Sequence, residues 1–314
     1  MNWRSRIYNA VKPLIPRSVQ IVLRRRFVSR VMRRTAALWP IDPAAGGRPA
    51  AFNGWPAGCR FALVLTHDVE DQRGVERCLA LASMERDLGF VSSFNFVPEK
   101  YNLSGQILDR LVKEGFEVGV HDLRHDGRLF ESRRVFMKRA GQINRYLRAW
   151  NSVGFRSGSM YHNLHWMHDL EIQYDSSTFD TDPFEPQPDG VQSLFPIWIR
   201  GEREGCGYVE LPYTLPQDMT LFVLFRHRDT RAWQDKLAWI AERGGMALVV
   251  THPDYMYWGD GRRKVDEYPF ELYRDFLLRV ASEYRGQYWN ALPRELAGYW
   301  RRHMVTANTG LRAT

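Results

Sequence analysis

The 314-residue sequence predicts an α/β protein in which parallel strands alternate with helices, and a barrel is the arrangement we expect. First, residues 61–65 form an apolar run, which is typical of a parallel strand buried on both faces. Second, strand-like and helix-like segments alternate along the chain, with glycines such as Gly89 and Gly115 at helix ends. Third, no GxGxxG or Walker loop follows a strand, so nothing indicates a nucleotide-binding sheet.

The first segment, residues 1–41, is strongly basic and contains no acidic residue, so the rest of the chain is close to neutral despite the net charge of +8. A helix is predicted in it because apolar residues recur at every fourth position, namely Val19, Leu23, Phe27 and Val31. Such a basic helix could lie on an anionic membrane surface. It could equally pack across the closed end of the main domain. Nucleic acid is the weakest alternative, because no base-reading motif is present.

Residues 40–58 are rich in proline, glycine and alanine, which is typical of a linker. We therefore expect a basic arm and linker at 1–58, a catalytic domain at 59–304 and a flexible tail at 305–314. There is neither a secretory signal nor a run of about 18–20 apolar residues that would span a bilayer. The three scattered cysteines favour a reducing compartment. We expect a cytoplasmic protein, with its arm at the inner face of the membrane.

The remaining elements follow from apolar periodicity and from helix stop signals. Helices are predicted at 75–88, 104–114, 132–150, 164–170, 232–243, 270–284 and 293–303. Strands are predicted at 90–97, 116–120, 154–156, 172–175, 246–251 and near Tyr288. An irregular, proline-rich stretch covers 178–196, and its residues 184–188 are a candidate lid.

Polar side chains follow the first strand directly: Thr66, His67, Asp68, Glu70 and Asp71. The carboxyl ends of strands are where α/β proteins collect the groups that carry out chemistry. Neighbouring carboxylates there require a cation or another polar partner. The alternative is that Asp68 or Asp71 caps the following helix.

A second polar cluster, His121 and His125, follows the strand predicted at 116–120. On a helical turn, two histidines four residues apart would face the same side and could bind one metal ion. Two imidazoles and one carboxylate are the ligands of a catalytic zinc-type site that keeps positions open for water and substrate. Two more strands end in single polar residues: Arg156, which could pair with a carboxylate, and His252.

In motif order and spacing, residues 60–300 resemble the polysaccharide deacetylase (NodB-homology) family, which is carbohydrate esterase family four. The matching segments are Asp68-Val-Glu70, His121-Asp-Leu-Arg-His125, Arg156-Ser-Gly158, Tyr174-Asp175-Ser-Ser and Thr251-His252. The resemblance implies a distorted (β/α) barrel, here with a basic helical N-terminal extension. It also implies a metal-dependent hydrolase that removes acetyl from an N-acetyl sugar of a cell-surface glycan or its precursor.

The resemblance also implies roles for individual residues. Three of them are expected to bind a divalent metal, with zinc as the expected ion: Glu70, His121 and His125. Asp68 would be the general base, oriented by Arg156. His252 would be the general acid, and Asp175 would tune it. Aromatic residues after His252, namely Tyr255 and Trp258, would stack on a sugar face or pack beneath their loop.

The acidic motif departs from the family pattern, because Glu70 stands where the second aspartate is usual. Asp71 or His67 could therefore complete the metal shell in its place. The altered acids also motivate an alternative function, a catalytically inactive relative that serves as a carbohydrate-binding or membrane-surface scaffold. Metal content separates the two hypotheses, since an intact site should retain metal.

Overall fold

The computed structural model describes residues 15–203, 205–259 and 261–305, and it is built around β1 (Phe61–Val69). Every residue of β1 is buried. The strand pairs in parallel with β2 (Ser92–Phe96) and with β8 (Met246–Thr251). A strand with parallel neighbours and both faces covered has no solvent-exposed side, which explains why its first half is a continuous apolar run.

The sheet continues from β2 through further parallel strands and ends in one antiparallel pair. Its other strands are β3 (Glu117–His121), β4 (Gly154–Arg156), β5 (Tyr174–Asp175), β6 (Ile197–Arg200), β7 (Gly207–Glu210) and β11 (Tyr288–Asn290). The strand order is β11-β1-β2-β3-β4-β5-β7-β6, with β8 also paired to β1 and with β6 and β7 as the antiparallel pair. A separate two-stranded ladder consists of β9 (Met256–Tyr257) and β10 (Tyr268–Pro269).

The residues that follow β7 bridge the sheet to β8. The N–H groups of Thr214 and Leu215 both donate to the carbonyl of Leu248, at 3.1 and 3.2 Å. The Thr214 hydroxyl donates to the Met246 carbonyl at 2.7 Å and accepts from the Leu248 N–H at 2.9 Å. This irregular closure makes the curled sheet a distorted (β/α) barrel, which confirms the predicted architecture.

The helix predicted from the apolar residues at 19–31 is observed as α1 (Arg17–Thr35). Most of the other predicted helices are confirmed to within three residues at each end. They are α2 (Gln72–Asp87), α3 (Gly105–Lys113), α4 (Arg133–Ala149), α5 (Arg231–Arg243), α6 (Glu271–Glu283) and α7 (Pro293–Trp300). Asp71, Ser104 and Ser132 cap α2, α3 and α4 by accepting backbone N–H bonds. The helix predicted at 164–170 is wrong, because only the short 3₁₀ turn Trp166–Asp169 forms there. Leu170 is in extended backbone (φ −89°, ψ 143°), so the turn does not continue into a longer helix.

Helix α1 packs beside the carboxyl ends of the strands and not across the closed end, which corrects that alternative. Ile21 and Val28 on its inner face are buried in the barrel core. The Arg25 guanidinium donates twice to the Val223 carbonyl, at 3.0 and 2.9 Å. Phe52 from the predicted linker packs in the same core. Among the described residues, no helix combines the length and apolarity needed to cross a bilayer.

Candidate metal centre

A cavity of about 490 Å³ lies where the polar residues at the strand ends meet. Six of the predicted site residues line it: Asp68, Glu70, His121, His125, His252 and Tyr255. They come from the ends of β1 and β3 and from the loops that follow β1, β3 and β8. Parallel strands direct their carboxyl ends to one side of the sheet, so these side chains meet despite the distances between them in the sequence.

Three donor groups converge in this cavity. One side-chain atom each of Glu70, His121 and His125 lies within 4.8 Å of the other two. His125 Nε2 lies 2.9 Å from Glu70 Oε1, and neither His125 Nε2 nor His121 Nε2, both buried, makes a hydrogen bond with the described residues. Two ligands held about 2.1 Å from one tetrahedral ion lie about 3.4 Å apart, and donor atoms within 4.8 Å of one another can reach one ion. The converging atoms therefore fit a divalent metal ion.

The two histidines do not lie on a helical turn, which corrects that prediction. His121 is the last residue of β3, and His125 lies in the loop after it. The chain returns His125 toward His121 through left-handed backbone at Asp122 (φ 58°) and His125 (φ 52°), and the ring centroids are 4.9 Å apart. Gly158 makes room for this loop, because a Cβ there would lie 2.8 Å from His125 Cδ2.

His121 is oriented by the neighbouring strand. Its Nδ1 lies 3.0 Å from the carbonyl oxygen of Arg156, to which it donates as Nδ1–H. In this tautomer Nε2 carries a lone pair that faces the cavity, as in metal-binding histidines whose other nitrogen is held by a carbonyl. Burial lowers the pKa of His121 to about 4, so the ring is neutral near pH 7, the form that binds a metal.

Glu70 is positioned by the loop that follows β8. The Tyr255 hydroxyl donates to Glu70 Oε2 at 2.6 Å, and Arg17 of α1 donates to the Tyr255 oxygen at 3.2 Å. The two alternatives for the third donor lie elsewhere. His67 is fully buried and bonded to Glu85 and Thr251, whereas Asp71 caps α2 and pairs with Arg73.

Asp68 lies on one side of the three donors and is fixed by one of its oxygens. Asp68 Oδ1 accepts from Arg156 Nη1 and from Asn95 Nδ2, both at 2.9 Å, while Oδ2 lies 4.0 Å from His121 Nε2. Burial raises the pKa of Asp68, but Arg156 and the site histidines outweigh burial and hold it at about 2. Asp68 is therefore ionised, with one oxygen left to face the cavity.

His252 lies on another side and is held by a carboxylate that the sequence did not indicate. His252 Nδ1 donates to Asp218 Oδ1 at 2.7 Å, and Asp218 Oδ2 accepts from the backbone N–H of His252 and the Tyr268 hydroxyl. Burial lowers the pKa of His252, but Asp218 and the site acids outweigh it and raise the pKa to about 10. His252 Nε2 faces Glu70 Oε1 at 3.9 Å.

Two predicted residues do not reach these groups. Asp175, expected to tune His252, is buried beside Glu210 and accepts from the Ser177 hydroxyl at 2.7 Å. The carboxylate bonded to His252 is Asp218 and not Asp175. Trp258 stacks on Phe270 at a centroid distance of 4.1 Å and does not line the cavity, so the packing alternative applies to it. Tyr255 does line the cavity.

The candidate lid at 184–188 contributes Phe184, Glu185 and Pro186 to the cavity. Glu185 Oε1 accepts from Gln217 Nε2 at 2.6 Å and lies 2.8 Å from the Tyr213 hydroxyl. Burial and the nearby Asp182 raise the pKa of Glu185 to about 8. A protonated carboxyl thus joins the metal donors in one cavity, a feature for which the irregular proline-rich sequence gave no signal.

Comparison with known proteins finds the same fold elsewhere, although no family model and no curated protein sequence matches the chain. The chain is similar to the structure of Puue allantoinase, with TM-score 0.62 and 15% identity over 84% of this chain and 98% of that one. A Pseudomonas aeruginosa PAO1 structure assigned as a polysaccharide deacetylase gives TM-score 0.62 and 15% identity over 85% and 99%.

A structure from Mycobacterium smegmatis, also assigned as a polysaccharide deacetylase, gives TM-score 0.57 and 18% identity over 81% of this chain and 95% of that one. At these identities the likeness concerns the fold, which extends over nearly the whole length of each matched structure. The resemblance expected from the motifs is thereby confirmed in three dimensions. The chain has the fold of the polysaccharide deacetylase (NodB-homology) superfamily.

Proposed function

We propose that this protein is a metal-dependent carbohydrate N-deacetylase that hydrolyses the acetamide of an N-acetyl sugar in a cell-surface glycan or its precursor. One observation carries the proposal. Three metal donors meet in one cavity with an ionised carboxylate, Asp68, and a carboxylate-held imidazole, His252. Amide hydrolysis needs both partners, a base for the attacking water and an acid for the departing nitrogen.

The residues divide this chemistry between them. A divalent metal bound by Glu70, His121 and His125 would polarise the acetyl carbonyl and lower the pKa of a bound water. Asp68 Oδ2 accepts a proton from the attacking water, while Arg156 holds Oδ1 and keeps the group ionised. His252 Nε2 then donates a proton to the sugar nitrogen as the carbon–nitrogen bond breaks. Asp218 stabilises the protonated ring before that transfer.

Zinc is the metal that we propose, because two imidazoles and a carboxylate are a common ligand set of catalytic zinc. The donor atoms also match, since two buried histidine nitrogens that make no hydrogen bond with the described residues face one carboxylate. A closed structural site would require a fourth protein ligand. The described residues offer three, which leaves room for water and substrate.

The proposal includes a cytoplasmic location at the inner face of the membrane. The outer face of α1 exposes Val19, Leu23 and Phe27, which are 45%, 49% and 54% accessible. Arginines occupy the same face further along, and α1 contains no acidic residue. Apolar and cationic side chains on one helix face are typical of helices that bind anionic lipid surfaces. Because Leu23 and Phe27 also line the metal-site cavity, this face adjoins the active site.

The test is acetate release from N-acetylhexosamine donors by zinc-loaded protein. We expect release that stops on chelation, and a loss of more than a hundredfold in His121→Ala, since even outer-shell changes cost ten- to hundredfold. His165→Ala, at an exposed histidine outside the cavity, is the matched control and should retain full activity.

Other outcomes would replace the proposal. Because the allantoinase structure is as similar as that of the Pseudomonas protein, allantoin should be assayed in parallel. Turnover of allantoin without acetate release would identify a cyclic amide as the substrate. Protein that neither retains zinc nor hydrolyses either substrate would favour the inactive scaffold.

A further inference from the structure

A second cavity, of about 800 Å³, adjoins the metal-site cavity. The two cavities share two walls. Helix α1 places Arg24 in the metal-site cavity and the next residue, Arg25, in the second one. The segment Met219–Leu224 likewise contributes Met219 to the first cavity and Phe222 to the second. The second cavity contains none of the proposed catalytic or metal-binding residues.

Cationic side chains dominate the lining of this second cavity, and three separate parts of the chain supply them. They are Arg25 from α1, Arg226 and Arg228 from the loop before α5, and Arg262, Arg263 and Lys264 from the loop before β10. Two acids also line it, Glu267 and Glu271. Glu267 is already paired with Arg77 at 3.0 Å and lies 3.4 Å from Arg73.

The positive charges of this cavity are not neutralised within the part of the chain that the structure describes. No described acid lies within ion-pair distance of the cavity's arginines or of Lys264; the nearby ion pairs use other residues, such as Arg231 with Asp229. Burial and then repulsion from Arg226 lower the pKa of Arg25. Arg25 cannot move away, because its guanidinium is bonded to the carbonyls of Val223 and Val265.

This clustering is not a property of the whole surface, because outside residues 1–41 the chain is close to neutral. Several like charges held around one concave site repel one another, and a bound anion would relieve that repulsion. Guanidinium groups match phosphate oxygens with paired, charge-assisted hydrogen bonds. The volume suits a small ligand.

We propose that this cavity binds a phosphate group, as a monoester, diester or diphosphate. Two sources share that chemistry: the headgroup of an anionic phospholipid, and a free phosphorylated metabolite. Either would be held beside the metal-site cavity, against the walls that the two cavities share. The site does not depend on the proposed deacetylase activity, because no catalytic residue takes part in it.

The test uses the full chain and inorganic pyrophosphate, with the affinity measured by isothermal titration calorimetry at low salt. We expect saturable binding that weakens at least tenfold in the double variant R262Q/R263Q, since both side chains are exposed and line the cavity. The control R134Q/K138Q removes the same charge from an exposed face of α4 and should change the affinity less than twofold. Unchanged thermal unfolding of both variants would show that the fold is intact.

A second measurement identifies the source of the phosphate, using vesicles of phosphatidylglycerol or of phosphatidylcholine. If the source is a headgroup, R262Q/R263Q will bind phosphatidylglycerol vesicles at least tenfold more weakly than R134Q/K138Q, and pyrophosphate will compete. If the source is a free metabolite, pyrophosphate binding will depend on the cavity and vesicle binding will not. Equal affinities of both variants for both ligands would overturn the proposal.

Discussion

Two charged pairs flank the metal donors, and they are built with opposite polarity. In the pair formed by Asp68 and Arg156, a carboxylate faces the cavity and a buried cation holds it from behind. In the pair formed by His252 and Asp218, an imidazole faces the cavity and a buried carboxylate holds it. Each carboxylate also accepts from one neutral side chain, namely Asn95 for Asp68 and the Tyr268 hydroxyl for Asp218.

The difference explains how two ionisable groups in one cavity can take opposite roles. The cation behind Asp68 holds its pKa at about 2, so that group is available to accept a proton. The carboxylate behind His252 raises its pKa to about 10, against the effect of burial, so that group retains a proton to donate. Titratable groups whose pKa values are moved apart by their surroundings are typical of acid–base pairs in active sites.

Removing Asp68, the proposed base, should have the largest effect. We expect Asp68→Asn to lower kcat about a hundred- to ten-thousandfold, because the proton acceptor is lost. Arg156, only 1% exposed, would lose its acidic partner, and breaking such a buried pair costs about 3–5 kcal/mol of unfolding free energy. Acetate release and urea unfolding measure the two effects.

The matched control for this change is Asp71→Asn, three residues along the chain. Asparagine caps a helix as well as aspartate does, so both activity and stability should stay near wild type. A large loss of activity in Asp71→Asn would instead indicate that Asp71, and not Asp68, accepts the proton.

Sequence patterns predicted the parts of the fold that depend on local regularity. The strand at 246–251 was predicted at its observed bounds, because an apolar run ended by polar residues marks a buried parallel strand. The closure of the barrel through Thr214 could not be predicted in this way. It depends on a few hydrogen bonds to β8 from an irregular segment, and such a segment has no period to detect.

The same distinction applies to the site. Three site residues lie at or next to the ends of strands, namely Asp68, Arg156 and His252. Predicting the strands therefore also predicted the positions of these residues. Asp218 follows an irregular segment rich in proline, and only the three-dimensional path of the chain brings it to His252. Asn95 does have a signal in the sequence, because it is a polar residue between two phenylalanines at the end of a buried strand. Asp175 was expected beside His252, but the order of motifs in the sequence does not give the distances between their side chains.

Removing the carboxylate behind His252 should have an intermediate effect. Without Asp218, the imidazole loses the charge that raises its pKa, so the alkaline limb of kcat/KM should move to lower pH. We expect Asp218→Asn to lower kcat about ten- to hundredfold near neutral pH, as is typical for residues that orient a catalytic group. The pH profile of acetate release measures both effects.

Asp175→Asn is the control that separates the two carboxylates. Asp175 is bonded to Ser177 and makes no contact with His252, so the position of the alkaline limb should stay unchanged. If Asp175→Asn moved the limb and Asp218→Asn left it in place, the assignment of the orienting carboxylate would be reversed.

The smallest effect should come from removing the tyrosine hydroxyl that donates to Asp218. Tyr268→Phe removes one hydroxyl from Asp218, which keeps its bonds to the ring and the backbone N–H of His252. A hydrogen bond to a charged group contributes about 1.5–3 kcal/mol to stability, so urea unfolding should show a loss of that size. Because the charge behind His252 remains, kcat should fall less than about tenfold, with a smaller shift of the alkaline limb than in Asp218→Asn. Equal shifts in the two variants would mean that the hydroxyl, and not the carboxylate charge, governs the protonation of His252.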